Sequence, residues 1–385
     1  MSNKINYYQI PDKFWFRIHF VRPRFKSNIE NVLLYMANEC CRIPRCSCSE
    51  YNKRYFNAIK MFPGNIGMTR KTLDNWRTEI PALFGFYKEN KETDITETTQ
   101  MAVFLHENQD LTQFLRLFLY LFQFPGGHMK AVDVKDIIYN NIKFKPARIL
   151  IQVLLAGNSI LSEQDSSKEM SISAEEATYC IFNDIRVTSG TVSANEIAQT
   201  ILNNRKNKLK YYNPKDKKIR SLTGTPRTKG DVTRYAKDIL DYMEIANLLI
   251  KTNGYYYLKG NEMVAIQNFR DDKTWFKGYD SLYGKKGIET VELTKIEQEW
   301  FEYVNNSMRP ELFKTDVKAM FCQKNIVDVV FDDRIKEVVA SDDRTMKDIG
   351  NLGEAMICGH EKMRLKINGY EDFVRLVQIV DSPSY

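Results

Sequence analysis

Between Met68 and Leu105 the chain reads "MTRKTLDNWRTEIPALFGFYKENKETDITETTQMAVFL", and apolar positions recur there with two different periods. Leu73, Trp76 and Ile80 follow one another at spacings of three and four, the period of a helix, and leave Arg70, Lys71, Asp74, Asn75 and Arg77 on the outer side. Thr69 stands where an N-cap belongs. "LFGFYKEN" and "ETDITET" then predict two short strands around a polar turn, and "TQMAVFL" opens another helix. Arg227 to Ile266 repeats the scheme. Val232, Tyr235, Ile239 and Tyr242 make the helical stripe, and "NLLIKTNGYYYLKG" predicts two strands joined by Asn253-Gly254, a strong hairpin signal. The two stretches open alike, Thr-Arg-Lys-Thr-Leu-x-x-Trp in one and Thr-Lys-Gly-Asp-Val-x-x-Tyr in the other.

Helix, hairpin, helix is the order of elements in a winged helix. The expected fold class is therefore mainly α with small β-hairpins, an α+β chain of tandem winged-helix domains. The first covers 1–127 and the second 128–270. Between their reading helices, "LTQFLRLFLYLFQF" is apolar all round, which predicts a buried helix ending at Pro125 to Gly127. "SILSEQDSSKEMSIS" reads as a polar loop. "SANEIAQTILNNRK" carries Ser193 with Glu196 three residues on, the pattern of a capping box. Residues 271–348 read as a helical bridging region with "TKIEQEWFEYVNN" its clearest helix, and 349–385 as the start of a further, incomplete domain.

Composition adds limits. A chain of 385 residues holds two or three domains, and 43% apolar with 12% aromatic residues is the make-up of a folded protein. The net charge of +7 is modest, so the placement of the cations matters more than their sum. Ten of them stand against one acid, Asp216, between Arg205 and Lys229. No secretion signal precedes the first domain, and the longest apolar run, Phe114 to Phe124, is short and contains Arg116, so a soluble cytoplasmic protein without membrane contact is expected. Seven cysteines then read as free thiols. Cys40, Cys41, Cys46 and Cys48 crowd into nine residues with no histidine nearby, which fits packed thiols better than a zinc site, and no metal site is expected in this chain. No phosphate-binding loop, zinc-protease motif or nucleophile elbow is present, and His19, His106, His128 and His360 are scattered. Nucleotide hydrolysis and acyl transfer have no support.

The basic helix faces fit double-stranded DNA as partner. In a helix-turn-helix the second helix enters the major groove, where Arg meets guanine, Asn meets adenine and Asp accepts from cytosine. Thr69, Arg70, Lys71, Asp74, Asn75 and Arg77 are the candidates on the first helix, and Lys229, Asp231, Arg234 and Lys237 on the second. Lys217, Lys218, Arg220, Arg227 and Thr228 lie in the basic stretch that leads into the second helix, suited to phosphates. Arg22, Arg24 and Lys26, preceded by Arg17, form a candidate N-terminal arm. Each of these faces also reads as an ordinary solvated surface.

"GNLGEAMICGHEKMRLKINGYEDFVRLVQIVDSPSY", which ends the sequence, resembles the opening of a nuclease domain of the PD-(D/E)xK restriction-endonuclease class. The features that carry the resemblance are Gly353-Glu354, Arg364-Leu365 and a first strand in "DFVRLVQIVD". With the helix–hairpin stretches upstream, the chain resembles the recognition part of a type II restriction endonuclease. The resemblance implies Glu354 as a helix carboxylate of the catalytic centre and Mg²⁺ as the metal of the complete nuclease. No (D/E)-x-K pair follows Glu354, so cleavage is expected to need a nuclease domain or subunit in trans. The rival reading is a non-enzymatic tandem winged-helix DNA binder, such as a plasmid replication initiator or transcription regulator.

Overall fold

Each apolar stripe in the sequence marks the side on which a helix is buried. The computed structural model describes residues 6–23, 25, 28–163, 165, 167–211, 229–307 and 358, and of residues 229–232 the backbone alone. The chain divides into two units, Met1–Phe313 and Lys314–Tyr385. In the second only Cys358, helical and half-buried, is described. Glu354 and the nuclease-like segment around it lie outside the described residues, as does 308–348 of the expected bridging region.

The first unit is mainly helical with small sheets, an α+β fold. It begins with β1 (Tyr7–Tyr8) and α1 (Ile29–Arg42), which buries Val32, Leu33, Met36, Ala37 and Cys40. β2 (Cys46–Ser47) leads straight into α2 (Cys48–Met61), because the Ser47 hydroxyl accepts from the Glu50 amide and caps it. α3 (Arg70–Phe84) is capped in the same way by Thr69 and ends at Gly85, whose left-handed φ of 64° lets its amide reach the Pro81 carbonyl. β3 (Tyr87–Asn90) and β4 (Ile95–Thr98) form an antiparallel hairpin in which Tyr87 faces Thr98 and Asn90 faces Ile95. β2 adds to its other side through Cys46 opposite Thr96, giving the order β2-β4-β3.

α4 (Gln100–Asn108) and α5 (Leu111–Leu121) follow. α5 is the expected buried helix, and it carries a buried arginine. Arg116 is 1% exposed, donates through Nε to the Ala246 carbonyl at 2.7 Å and pairs with Glu262 at 3.0 Å, so its charge is met inside the core. α6 (Ala131–Tyr139) and α7 (Pro146–Ser162) lead to β5 (Ser171–Ser173), a strand inside the stretch that the sequence reads as a polar loop. That loop is shorter at both ends, because Ser159–Ser162 continue α7 while Met170 and Ile172 are fully buried.

β5 passes into α8 (Ala174–Ala177), which a π turn extends to Phe182, and α9 (Ile185–Thr188) follows. α10 (Ala194–Lys206) has the capping box of Ser193 and Glu196. β6 (Lys210–Tyr211) pairs in parallel with β1. α11 (Lys229–Ile245) precedes a second hairpin of β7 (Leu249–Thr252) and β8 (Tyr255–Leu258). Asn253 and Gly254, at φ 51° and 81°, make the turn that their sequence predicts. This sheet has the order β5-β8-β7, the same as the first when strands are counted from the N-terminal one.

α12 (Met263–Arg270) and α13 (Thr290–Asn306) close the unit. One hydrophobic cluster runs from Ile18 to Val304. Trp300 of α13 belongs to it and lies so close to Gly127 that a Cβ there would stand 2.2 Å from the indole.

Candidate nucleic-acid interface

α3 buries Leu73, Trp76, Ile80, Leu83 and Phe84, which fixes what its other side presents. Arg70, Lys71 and Asn75 are exposed, whereas Asp74 and Arg77 are half-buried. Asp74 stands between two guanidiniums, with Arg70 Nε at 3.8 Å and Arg77 Nε at 3.6 Å. Such surface pairs contribute little to stability, but they hold both arginines along one helix face. The first turn of α3 has no acidic residue, so the positive end of the helix dipole and Arg70 and Lys71 act together there.

The hairpin beside α3 brings cations that its sequence did not advertise. Lys88 pairs with Glu97 across the strands at 3.0 Å, and Lys91 is exposed at the turn. Between this hairpin, the C-terminal half of α3 and α13 lies a cleft of about 580 Å³, lined among others by Arg77, Lys88, Lys91, Glu89, Glu97 and Glu297. Burial raises the pKa of the Glu297 carboxyl, against the pull of Lys91.

On α11, Arg234 is half-buried and Lys237 is exposed, while the side chains of Lys229 and Asp231 are outside the description. The next positions face the N-terminal segment. Tyr235 packs on Phe20 at 4.9 Å and on His19 at 5.5 Å, and Asp238 forms an ion pair with Arg22. Burial raises the Asp238 pKa, and the Arg22 cation opposes that rise. Arg22 therefore spends its charge on α11, and Arg17, 5% exposed, is also turned inward. Arg24 and Lys26 lie outside the described residues. The second hairpin is tied to α11 as well, since Asp241 accepts from Tyr256 at 2.5 Å and from Lys251 at 2.9 Å.

The basic stretch begins inside the fold. Arg205 is bound to Glu176 at 2.7 Å and to the Ser171 carbonyl at 2.8 Å, whereas Lys206, Lys208 and Lys210 are exposed. Lys217, Lys218, Arg220, Arg227 and Thr228 lie outside the described residues. Lys208 and Lys210 were present in the sequence signal, but the strand pairing that sets Lys210 opposite Tyr7 was not. Among the described residues, no group of three or more His, Cys, Asp or Glu side chains is arranged to hold a metal ion. Cys40 is buried, and its thiol pKa is pushed up by burial.

Residues 8–301 match the family model described as the N-terminal part of the restriction endonuclease BpuJI. The chain belongs to the BpuJI N-terminal family. A search of the curated proteins finds no match. Among solved structures, a BpuJI-family fold is found in "Crystal structure of pyrene- and phenanthrene-modified DNA in complex with the BpuJ1 endonuclease binding domain". The two chains are 22% identical with a TM-score of 0.63, over 76% of this chain and 98% of that one, which establishes the shared fold. No helix among the described residues of this family member is long and apolar enough to cross a membrane.

Proposed function

We infer that this chain is the double-stranded DNA recognition part of a type II restriction endonuclease and reads a specific sequence. The observation that carries the reading is a repeated arrangement. Twice a short strand joins a later hairpin in a three-stranded sheet of the same order, and the helix directly before each hairpin carries exposed cations, Arg70 and Lys71 on α3 and Lys237 on α11. We take the two arrangements as tandem winged helices, over 1–127 and 128–270, bridged onward by 271–348. The BpuJI relative was crystallised with DNA, which agrees with this partner.

In this reading Thr69, Arg70, Lys71, Asp74, Asn75 and Arg77 approach one groove segment. Lys229, Asp231, Arg234 and Lys237 approach another. Lys217, Lys218, Arg220, Arg227 and Thr228 take phosphates, which position the protein without reading sequence. Arg22 supports α11 through Asp238, and Arg24 and Lys26 are candidates for phosphate contact. Cleavage belongs to a nuclease domain that includes Glu354 or acts in trans, with Mg²⁺ as its metal. Among the described residues no group of three or more His, Cys, Asp or Glu side chains fits that ion. A cytoplasmic location, where duplex DNA is met, goes with this reading.

Selection of bound duplexes from a random pool at about 150 mM salt, where purely electrostatic binding is weakened, tests the reading. The two helices carry different side chains, so the expected result is one short asymmetric site. Binding that enriches no sequence and vanishes as salt rises would remove sequence recognition from the account.

A further inference from the structure

The turn between α2 and α3 places two large apolar side chains in water. Met61 is 75% exposed and Ile66 is 82% exposed. Single exposed apolar residues are common on protein surfaces and need no explanation. Three observations set this turn apart.

The loop is held in place. Phe62 is buried against Tyr35 and Trp76, with ring centroids at 5.2 and 5.8 Å. Asn65 is 4% exposed and donates its side-chain amide to the Ile59 carbonyl at 2.8 Å. The Ile66 amide reaches the Pro63 carbonyl, and the Met68 amide reaches that of Asn65. Ile66 is thus presented outward by a fastened turn whose own apolar residue, Phe62, is already inside.

The stretch that carries the turn is basic, and the acids at its edges, Glu50 and Asp74, pair with Arg54 at 2.7 Å and Arg70 at 3.8 Å. From Tyr51 to Leu73 the chain carries Lys53, Arg54, Lys60, Arg70 and Lys71 and no acid. Lys60, next to Met61, and Arg70 and Lys71, just beyond Thr69, are exposed. An apolar tip flanked along the chain by exposed cations is a poor seat for another apolar protein face and a good one for a polyanion with C–H surface. DNA has both, in its phosphates and in its deoxyribose rings and thymine methyl groups.

The place is also specific. The turn stands immediately before the N-cap of α3, the helix assigned above to a groove, so whatever meets Arg70 and Lys71 meets the turn as well. We propose that Ile66, assisted by Met61, is an apolar DNA-contact point that packs on the C–H surface at the edge of the groove entered by α3. The proposal deepens the DNA reading and rests on it.

An apolar contact releases no counterion, and that separates it from every cation nearby. The full chain and its selected duplex are used, with affinity measured across a salt series. Ile66→Ser is expected to lose roughly ten-fold in affinity, the scale of partly burying an isoleucine, with the slope of log K against log salt unchanged. Lys217→Ala, a change among the cations assigned above to phosphates, should in contrast flatten that slope by about 0.9. Ile66→Leu should restore binding, and Val132→Ser, at another exposed apolar site 71% exposed on α6, should change nothing. Thermal midpoints confirm that the variants are folded. Replacing dT by dU through the site then names the surface. A loss that disappears in Ile66→Ser assigns a thymine methyl, and no effect of the replacement assigns the sugars. Wild-type affinity in Ile66→Ser, or a loss that comes with a flatter salt slope, overturns the proposal while leaving DNA recognition intact. If the wild-type chain selects no duplex, both fall together.

Discussion

Asp74 shows how one carboxylate can order two neighbouring cations on a helix face. It faces Arg70 on one side and Arg77 on the other, both at surface distances, so it orders two donors without neutralising them in a dry environment. If these side chains read bases, Arg70→Ala and Asn75→Ala should each cost about 1 to 3 kcal/mol on the selected site and little on random duplexes, measured by competition binding. Equal losses on both would move them to the backbone-contacting class. His128 poses a different question at the same scale. It is 1% exposed among Phe20, Phe122, Phe124 and Trp300, and burial lowers its pKa to about 3. The unfolded chain takes up that proton below a pH of about 6.5, and the folded one does not. The unfolded state therefore binds more protons in this window, and stability falls as pH drops, by about 1.4 kcal/mol per unit for this group. His128→Leu should remove that share of the pH dependence, read as the difference in urea-derived unfolding free energy between pH 6.5 and 4.5.

Elements differed in how much of them the sequence exposed. α3 and its hairpin were legible because one face is buried and the other is not, so polarity records the period. The turn at Asn253-Gly254 was legible because few residues tolerate positive φ. Gly254 has open space where a Cβ would stand, so Gly254→Ala meets only the backbone cost, about 1 kcal/mol, seen as a lower denaturation midpoint with unchanged cooperativity. The strands that complete the two sheets left no such record. β2 and β5 are two and three residues long, too short for alternation to appear, and β5 hid in a serine-rich stretch. The parallel pair of β1 and β6 joins Tyr7 to Lys210, and nothing local announces a partner that far along the chain. The candidate site follows the same division. Exposed positions of α3 could be chosen from spacing alone, whereas the engagement of Arg22 by Asp238 depends on two segments 216 residues apart.

At the scale of the molecule, the two helix–hairpin arrangements share one interior. α5 lies between them, and its polar groups reach across to the end of α11. Thr112 donates to the Ile245 carbonyl at 3.1 Å and Arg116 to that of Ala246 at 2.7 Å, while Arg116 also holds Glu262 beyond the second hairpin. The Gln123 side chain adds a two-way bond with the backbone of Phe276, at 3.2 and 2.9 Å, so the segment after α12 is fastened to the same frame. If α3 and α11 read DNA as proposed, a frame of this kind ties the two helices together. On that reading it would act as a fixed caliper along the duplex. One extra base pair between the halves turns the far half by about 34° about the DNA axis, a displacement the caliper cannot follow without breaking the buried Arg116 contacts. Duplexes carrying a single inserted pair at the centre of the selected site should therefore bind almost as weakly as random DNA, whereas a substitution at the same central position should be tolerated.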